Sequence, residues 1–251
     1  MTGAVRGVAA AYTAHMMIRG LIFDFDGLMV DTESPAYDSW LEVYREYGCT
    51  LPLSLWQAVL GGSGKEFDPC AYLEQQIGHP LDCAAIGARR WQRKLDLIAA
   101  QPLLPGVRGY IASAKRLHLT LGVASSSSHK WVFGHLDRLG VADQFDAITT
   151  ADDVTHVKPD PEIYRVALAM LALRPGQAIA IEDAPNGLLA ARRAGIFSVA
   201  VPNALTGQLP LDAGLRLTSL ADVPLDTLLD TVQTRAGTRS GDLAPHSAER
   251  I

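Results

Sequence analysis

The chain is 251 residues long, 48% apolar, and carries a formal net charge of −5. This length suits one large domain or two smaller ones, and the apolar content is ample for a core. No run of lysine and arginine is long enough to follow a phosphate backbone, so we expect no nucleic-acid partner. No apolar stretch reaches the ~18 residues of a membrane helix, so we expect no membrane-spanning segment.

The two ends of the chain and its cysteines point to few structural constraints. Residues 1–17 contain one basic residue and an Ala-rich patch too weakly apolar for a secretory signal, so we expect a flexible extension. Residues 234–251 are polar and are expected to form a disordered tail. Cys49, Cys70 and Cys83 are odd in number and lack metal-site spacing. They therefore predict apolar filler in a reducing cytoplasm rather than a disulfide or a zinc site.

The most informative segment is an apolar run that ends in two carboxylates. Residues 18–23 suit a strand covered on both faces, and Asp24, Asp26 and Gly27 follow it. Open α/β sheets bind ligands at the carboxyl ends of their strands. Two acids with one residue between them project to the same side of an extended chain, so a cation, a donor cluster or a shared proton must compensate their repulsion. The alternative interpretation is an ordinary Asp-Gly turn.

A second strand-like run, Leu119 to Ala124, ends in four serines. Hydroxyls and free backbone amides at Ser125 and Ser126 would suit phosphate oxygens. The alternative is a loop that caps the next helix, with Ser128 as the N-cap. The two interpretations are compatible, because different serines can do each.

A lysine and a further acidic pair complete the pattern. Lys158 precedes Pro159, which disfavours helical geometry and places the lysine on a loop. A lone lysine there is usually a solvated charge, but one that faces carboxylates and a phosphoryl group would neutralise both. Glu182 and Asp183 end another apolar run and therefore occupy a strand end.

In this order, Asp-x-Asp-Gly, a strand-end serine, Lys-Pro and Glu-Asp closely resemble the haloacid dehalogenase superfamily of phosphohydrolases, over residues 18 to about 230. The resemblance implies an α/β fold, with a doubly wound, Rossmann-like parallel sheet and an inserted all-helical cap. It makes Asp24 the nucleophile that forms an aspartyl-phosphate, and Asp26 the general acid. An acid two positions after the nucleophile resembles the members that cleave phosphate esters rather than carbon–halogen or carbon–phosphorus bonds.

The resemblance also implies a Mg²⁺ site. Asp24, Asp183 and the backbone carbonyl of Asp26 would be ligands, and Glu182 would support the metal or its waters. Such an all-oxygen set is the kind that Mg²⁺ prefers.

Substrate contacts are implied in the same way. Ser125 would hold a transferring phosphoryl oxygen, with Ser126 beside it, and Lys158 would steady the nucleophile and spread transition-state charge. Lys65 aligns with a basic residue that contacts substrate in the family's β-phosphoglucomutase-like branch. It could equally be a solvated lysine at a helix end.

The chain is predicted to divide into a core, residues 18–32 and 105–233, and a cap, residues 33–104. The cap would close over the substrate, with hinges near residues 31–34 and 103–106. The candidate strands of the core are Leu21–Asp24, Leu119–Ala124, Ala147–Thr150, Ala178–Ile181 and Phe197–Val201.

The cap is predicted from helical periodicity. Aromatic residues within 35–47 recur at helical spacing, residues 63–66 fit a capping box, and residues 84–99 form a longer helix. The four basic residues between positions 89 and 94 are expected mostly on a solvated face. Trp91 is expected in core packing.

The predicted function is Mg²⁺-dependent hydrolysis of a small phosphorylated metabolite, a sugar, polyol or nucleoside phosphate. Residues 182–187 resemble phosphatases such as pseudouridine 5′-phosphatase. A sugar phosphomutase is the alternative, but Ala36 stands where mutases of this branch carry a histidine. A non-catalytic module that binds phosphorylated ligands is an alternative of another class, although every expected catalytic position is filled. The sequence is compatible with a monomer and leaves the oligomeric state open.

Overall fold

A computed structural model describes residues 18–57 and 67–241, with side chains up to residue 235. In these residues six parallel strands form one sheet in the order β3-β2-β1-β4-β5-β6. The strands are β1 (Gly20–Phe23), β2 (Thr120–Ala124), β3 (Ala147–Thr149), β4 (Ala178–Glu182), β5 (Phe197–Ala200) and β6 (Leu215–Arg216). The five predicted strands are confirmed to within one residue at each end, and β6 was not predicted.

Helices supply the connections between the strands and the insertion that follows β1. In the described residues they are α1 (Glu33–Glu46), α2 (Leu53–Gln57), α3 (Pro69–Ile77), α4 (Cys83–Ala99), α5 (Val107–Arg116), α6 (His129–Arg138), α7 (Glu162–Met170), α8 (Pro185–Arg193) and α9 (Leu225–Gly241). None of the helices in these residues is long and apolar enough to cross a membrane. The predicted α/β class and the predicted doubly wound parallel sheet are confirmed.

Strand β1 is apolar throughout because both of its faces are covered. Leu21 and Phe23 belong to one buried cluster, which includes side chains of α5, α6 and α9. Ile22 points to the other face and joins a second cluster with α7 and α8. The alternation of side chains along a strand thus serves two cores, which is why the run has no polar member.

The central position of β1 determines where the site lies. Its neighbours are β2 on one side and β4 on the other, and the sheet extends outward from both. Phe23 is in register with Val123 and with Ile181, so the residues that follow these three strands lie side by side. This is the topological switch point at which open parallel sheets bind ligands.

Between β1 and α5 the described residues are helical, as predicted, and they have their own buried cluster. It includes Trp40 and Tyr44 of α1, Leu73 of α3 and Ile86 of α4. The two connections to the core run together, because Val30 forms an antiparallel bridge with Leu103. The paired segments lie next to the predicted hinges.

The prediction that the cysteines form no disulfide is wrong. Cys70 and Cys83 form a disulfide that joins the starts of α3 and α4, with Cα atoms 5.9 Å apart, and Cys49 is the free thiol. This pairing also removes the cysteine argument for a reducing compartment. Helix α9 continues into the predicted tail as far as Gly241, and residues 242–251 lie outside the described residues, as do residues 1–17, so the disorder of both ends stays a prediction.

Gly106 occupies a backbone position that excludes a side chain. Its φ is +87°, and a Cβ there would lie 2.2 Å from the carbonyl carbon of Leu220 and 2.3 Å from the nitrogen of Ala221. We expect Gly106→Ala to lower the free energy of unfolding by about 2–4 kcal/mol, because backbone strain and overpacking add. Urea unfolding followed by circular dichroism measures the change.

Gly109→Ala is the matched control, because Gly109 lies in the helix that Gly106 precedes, and a Cβ added there would have no neighbour within 4 Å. It should raise the free energy of unfolding by about 0.5–1 kcal/mol through better helix propensity. Equal stability of the two variants would contradict the close approach at Gly106.

Candidate active site

Asp24 follows β1 directly, and its side chain is buried at the switch point of the sheet. Its Oδ1 lies 2.5 Å from Nζ of Lys158, which enters from the loop before α7. The same Nζ lies 2.7 Å from Oε1 of Glu182, at the end of β4. The Lys158 side chain is only 7% exposed, so a buried ammonium joins carboxylates from two neighbouring strands.

Asp183 completes a cluster of three buried acids with Asp24 and Glu182. One potential ligand oxygen from each lies within 4.8 Å of the others. Burial, followed by the charge of Glu182, raises the pKa of Asp24 to about 8 against the lowering effect of Lys158. Burial and then Asp24 raise the pKa of Asp183 well above its usual value. Although burial opposes it, the two acids it faces raise the pKa of Lys158 and keep it charged.

One ammonium does not balance this group of acids. Among the described residues, the three carboxylates face Lys158 as their only directly paired cation. Buried carboxylates need compensating charge, and an all-oxygen donor set suits a hard divalent cation. The residues present therefore fit a divalent metal ion.

Two residues that the sequence did not indicate hold the acids in place. Tyr164 of α7 donates its hydroxyl hydrogen bond to Oε1 of Glu182. The amide Nδ2 of Asn203 donates to Oδ2 of Asp183 at 2.8 Å and to the carbonyl of Gly27 at 3.1 Å. Neither residue belongs to a motif. Asn203 lies three positions after β5, so a polar residue beyond a strand end was the signal available.

Asp26 is half-buried and accepts four hydrogen bonds. Its Oδ1 accepts from Oγ1 of Thr32 and from Nε1 of Trp131, both at 2.9 Å. Its Oδ2 accepts from Oγ of Ser127 at 2.7 Å and from Oγ of Ser125 at 3.2 Å. Four donors from three segments of the chain therefore fix the orientation of this carboxyl group.

The serine loop caps the next helix, as one interpretation expected, and its contact with phosphate stays a prediction. Ser125 is fully buried, and its Oγ accepts from the backbone nitrogen of Ser127 at 3.0 Å while donating to Asp26. Ser126 and Ser127 line the cavity above the sheet. Ser128 is the N-cap of α6, with its hydroxyl accepting from the nitrogen of Trp131. The structure thus brings Ser127 to Asp26. The sequence had not singled out Ser127.

A cavity of about 620 Å³ lies over these groups, and the insertion contributes part of its wall. Trp91 of α4 lines it and is 47% exposed, so the prediction that Trp91 lies in core packing is wrong. Lys94 also lines the cavity and is half-buried, whereas Arg89 and Arg93 are exposed and pair with acids of α1, as expected for a solvated face. Lys65 lies outside the described residues.

Lys94 and Glu33 both line this cavity and carry opposite formal charges. The ammonium of Lys94 lies 5.2 Å from the ring centroid of Trp91 and 5.5 Å from that of Trp131. Burial, followed by the charge of Asp26, raises the pKa of Glu33 to about 7, and Lys94 opposes this. Burial lowers the pKa of Lys94 against the raising effect of Glu33 and Asp26.

Comparison with known proteins identifies the class. Residues 21–201 match the family described as haloacid dehalogenase-like hydrolases, and the chain belongs to this family of enzymes. It is 44% identical over 220 residues to the Bacillus subtilis (strain 168) protein named "Putative phosphatase YhcW". The alignment covers 87% of this chain and 100% of that protein.

Two further relatives extend the comparison. The chain is 31% identical to hexitol phosphatase B of Escherichia coli (strain K12), with 84% of this chain and 97% of the relative covered. The crystal structure of β-phosphoglucomutase from Clostridium difficile superimposes with a TM-score of 0.68 at 25% identity, with 89% of this chain and 100% of that chain covered. The predicted family membership is therefore confirmed.

Tyr164→Phe tests whether the hydrogen bond from Tyr164 to Glu182 supports cation binding at the acid cluster. The variant keeps the ring and removes the donor to Glu182, so we expect divalent-cation affinity to fall by about 10- to 100-fold. The measurement is thermal stabilisation of the protein as MgCl2 is titrated, read as the midpoint concentration.

Tyr44→Phe is the matched control, because the Tyr44 hydroxyl donates to the carbonyl of Pro69 at 2.6 Å, away from the acids. It should lose a similar hydrogen bond without shifting the MgCl2 midpoint. Equal shifts in the two variants would show that Tyr164 contributes only to general stability.

Proposed function

We propose that the protein is a Mg²⁺-dependent phosphomonoesterase that hydrolyses a small sugar or polyol phosphate through an aspartyl-phosphate on Asp24. The observation that carries this proposal is the buried Asp24 carboxylate held by Lys158 within a cluster of three acids. The names of the relatives support it, since they include a hexitol phosphatase. The cavity of about 620 Å³ has room for a phosphorylated metabolite of that size.

In this mechanism a carboxylate oxygen of Asp24 attacks phosphorus, and the bond from phosphorus to the ester oxygen breaks. Lys158 offsets the charge that collects on the phosphoryl group, at the position where it already pairs with Asp24 and Glu182. Asp26 donates a proton to the departing oxygen. It then takes a proton from the water that attacks the aspartyl-phosphate, which releases phosphate and restores Asp24.

The remaining site residues position these groups. Asp24, Asp183 and the Asp26 backbone carbonyl would hold Mg²⁺, with Glu182 in support, and the ion would supply further positive charge for the phosphoryl oxygens. Ser125, with Ser126 beside it, would hold a phosphoryl oxygen. The Ser125 hydroxyl also orients Asp26 by donating a hydrogen bond to it.

Asp24→Asn should abolish phosphate release, because the amide is not a nucleophile toward phosphorus. Phosphate release from a panel of sugar, polyol and nucleoside phosphates, with and without MgCl2, provides the measurement. Asp38→Asn, an exposed aspartate of α1, is the control and should leave turnover unchanged. Turnover that survives in Asp24→Asn would overturn the proposal. Isomerised sugar phosphate with little free phosphate, seen by NMR, would show a mutase instead.

Asp26→Asn should slow the cleavage of esters with poor leaving groups most severely. We expect kcat/KM for a hexitol phosphate to fall by about 10²- to 10⁴-fold, and that for p-nitrophenyl phosphate to fall much less, because nitrophenolate leaves without a proton. The ratio kcat/KM is the appropriate quantity, since it excludes the later hydrolysis of the aspartyl-phosphate. Equal losses for both esters would contradict an acid role for Asp26.

A further inference from the structure

The position of Asp26 defines the part of the cavity that receives the leaving group. If Asp26 protonates the departing oxygen, the rest of the leaving group must extend from that point. Trp131 is directly adjacent, because its indole nitrogen lies 2.9 Å from Oδ1 of Asp26. The cavity continues from there along Trp91, Lys94 and Glu33, all of which belong to the inserted helices.

Lys94 is the cation of this region, and two aromatic rings hold it. Its ammonium lies over Trp91, from its own helix, and over Trp131, from the core, at 5.2 and 5.5 Å from the ring centroids. The rings themselves are in contact, with centroids 6.2 Å apart. Within residues 18–57 and 67–235, the ammonium forms no ion pair closer than 4.0 Å, so its donors are not already used by a carboxylate.

We propose that Lys94 is a specificity residue of this site, which recognises an uncharged, hydroxyl-bearing leaving group. The inference rests on the proposed function and adds to it the residue that selects the leaving group. Lys94 provides up to three N–H donors for hydroxyl oxygens, and Glu33, which also lines the cavity, provides an acceptor for a hydroxyl hydrogen. A hydroxyl group can use both a donor and an acceptor. The indole rings of Trp91 and Trp131 would pack against the C–H groups of a polyol.

The charges around Lys94 favour a neutral leaving group over one with a second phosphate. Trp131 lies against the Lys94 ammonium and donates to the Asp26 carboxylate, and Glu33 lines the same cavity, so two carboxyl groups lie near Lys94. A second anion placed at Lys94 would meet these two carboxyl groups as well as the ammonium. A polyol meets the same groups as hydrogen-bond partners, without charge repulsion.

The contact between Lys94 and Trp131 also joins substrate recognition to the acid. Trp131 is the residue that touches both the ammonium of Lys94 and the carboxylate of Asp26. A polyol bound at Lys94 is therefore placed with one of its oxygens beside Asp26. Correct placement of this kind accounts for a large share of the rate in reactions that depend on orientation.

Lys94→Met tests the proposal, because methionine keeps the apolar stem and removes the charge and the donors. We expect KM for a hexitol phosphate to rise by about 10- to 100-fold, the effect of losing a hydrogen bond from a charged donor. KM for phenyl phosphate, which has no hydroxyl, should change by less than about threefold. Lys130→Met, an exposed lysine of α6 outside the cavity lining, should change neither. Equal losses for the two esters would overturn the proposal.

Binding to Asp24→Asn protein separates this inference from the proposed function. Calorimetry in MgCl2 compares a hexitol phosphate with inorganic phosphate, before and after Lys94→Met is added. We expect only the hexitol phosphate to bind about 10- to 100-fold more weakly. Equal weakening of both ligands would reduce Lys94 to general attraction of anions and overturn the inference. Wild-type protein that hydrolyses no ester would overturn the proposed function, while this binding comparison would still decide the inference.

The neutral character of the leaving group has its own test. Wild-type protein should turn over a hexitol monophosphate with a higher kcat/KM than the corresponding bisphosphate. Glu33→Gln removes one negative group, so it should reduce this difference in kcat/KM. A wild-type preference for the bisphosphate would overturn the proposal that the leaving group is uncharged.

Discussion

Three carboxylates lie buried at the ends of two adjacent strands, and the need to compensate their charge governs much of the surrounding structure. Removing a carboxylate from water is costly unless it is paired and hydrogen-bonded. Lys158 supplies one buried positive charge, shared between Asp24 and Glu182. Tyr164 and Asn203 add donors to Glu182 and Asp183. The remaining negative charge suits a divalent cation, which enzymes of this family generally use, so the imbalance that costs stability also fits the site to a metal.

The inserted helices complete the site from the other side. The segments that lead into and out of them are paired at Val30 and Leu103, which places α4 over the carboxyl ends of the strands. Trp131 of the core then contacts Trp91 and Lys94 of α4 while donating to Asp26. One indole therefore connects the insertion to the residue proposed as the acid. A shift of α4 would therefore move Trp131 and change its hydrogen bond to Asp26.

The sequence was sufficient for the sheet and for the acid cluster, because both follow from local patterns. An apolar run with no polar member indicates a strand with two covered faces, and the acids at its end mark the switch point. Strand β6 escaped prediction because two residues are too short for any periodicity. The disulfide escaped it because Cys70 and Cys83 meet only once α3 and α4 are packed together. Asn203 carries no motif, and its contact with Asp183 depends on the loop after β5 folding back over Gly27.

Lys94 shows why helical periodicity could not identify the side of α4 that lines the cavity. Its neighbours Arg89 and Arg93 point to solvent and pair with acids of α1, so the helix has a wet basic face as predicted. Lys94 lies one position further around, where the helix turns toward the core, and its burial depends on Trp131, which is 37 residues away in sequence. In the proposed site, the phosphate group would meet the strongly charged acids and Lys158. The leaving group would meet Lys94 and Glu33, one residue of each formal charge. Such a division suits a substrate that carries its charge at one end only.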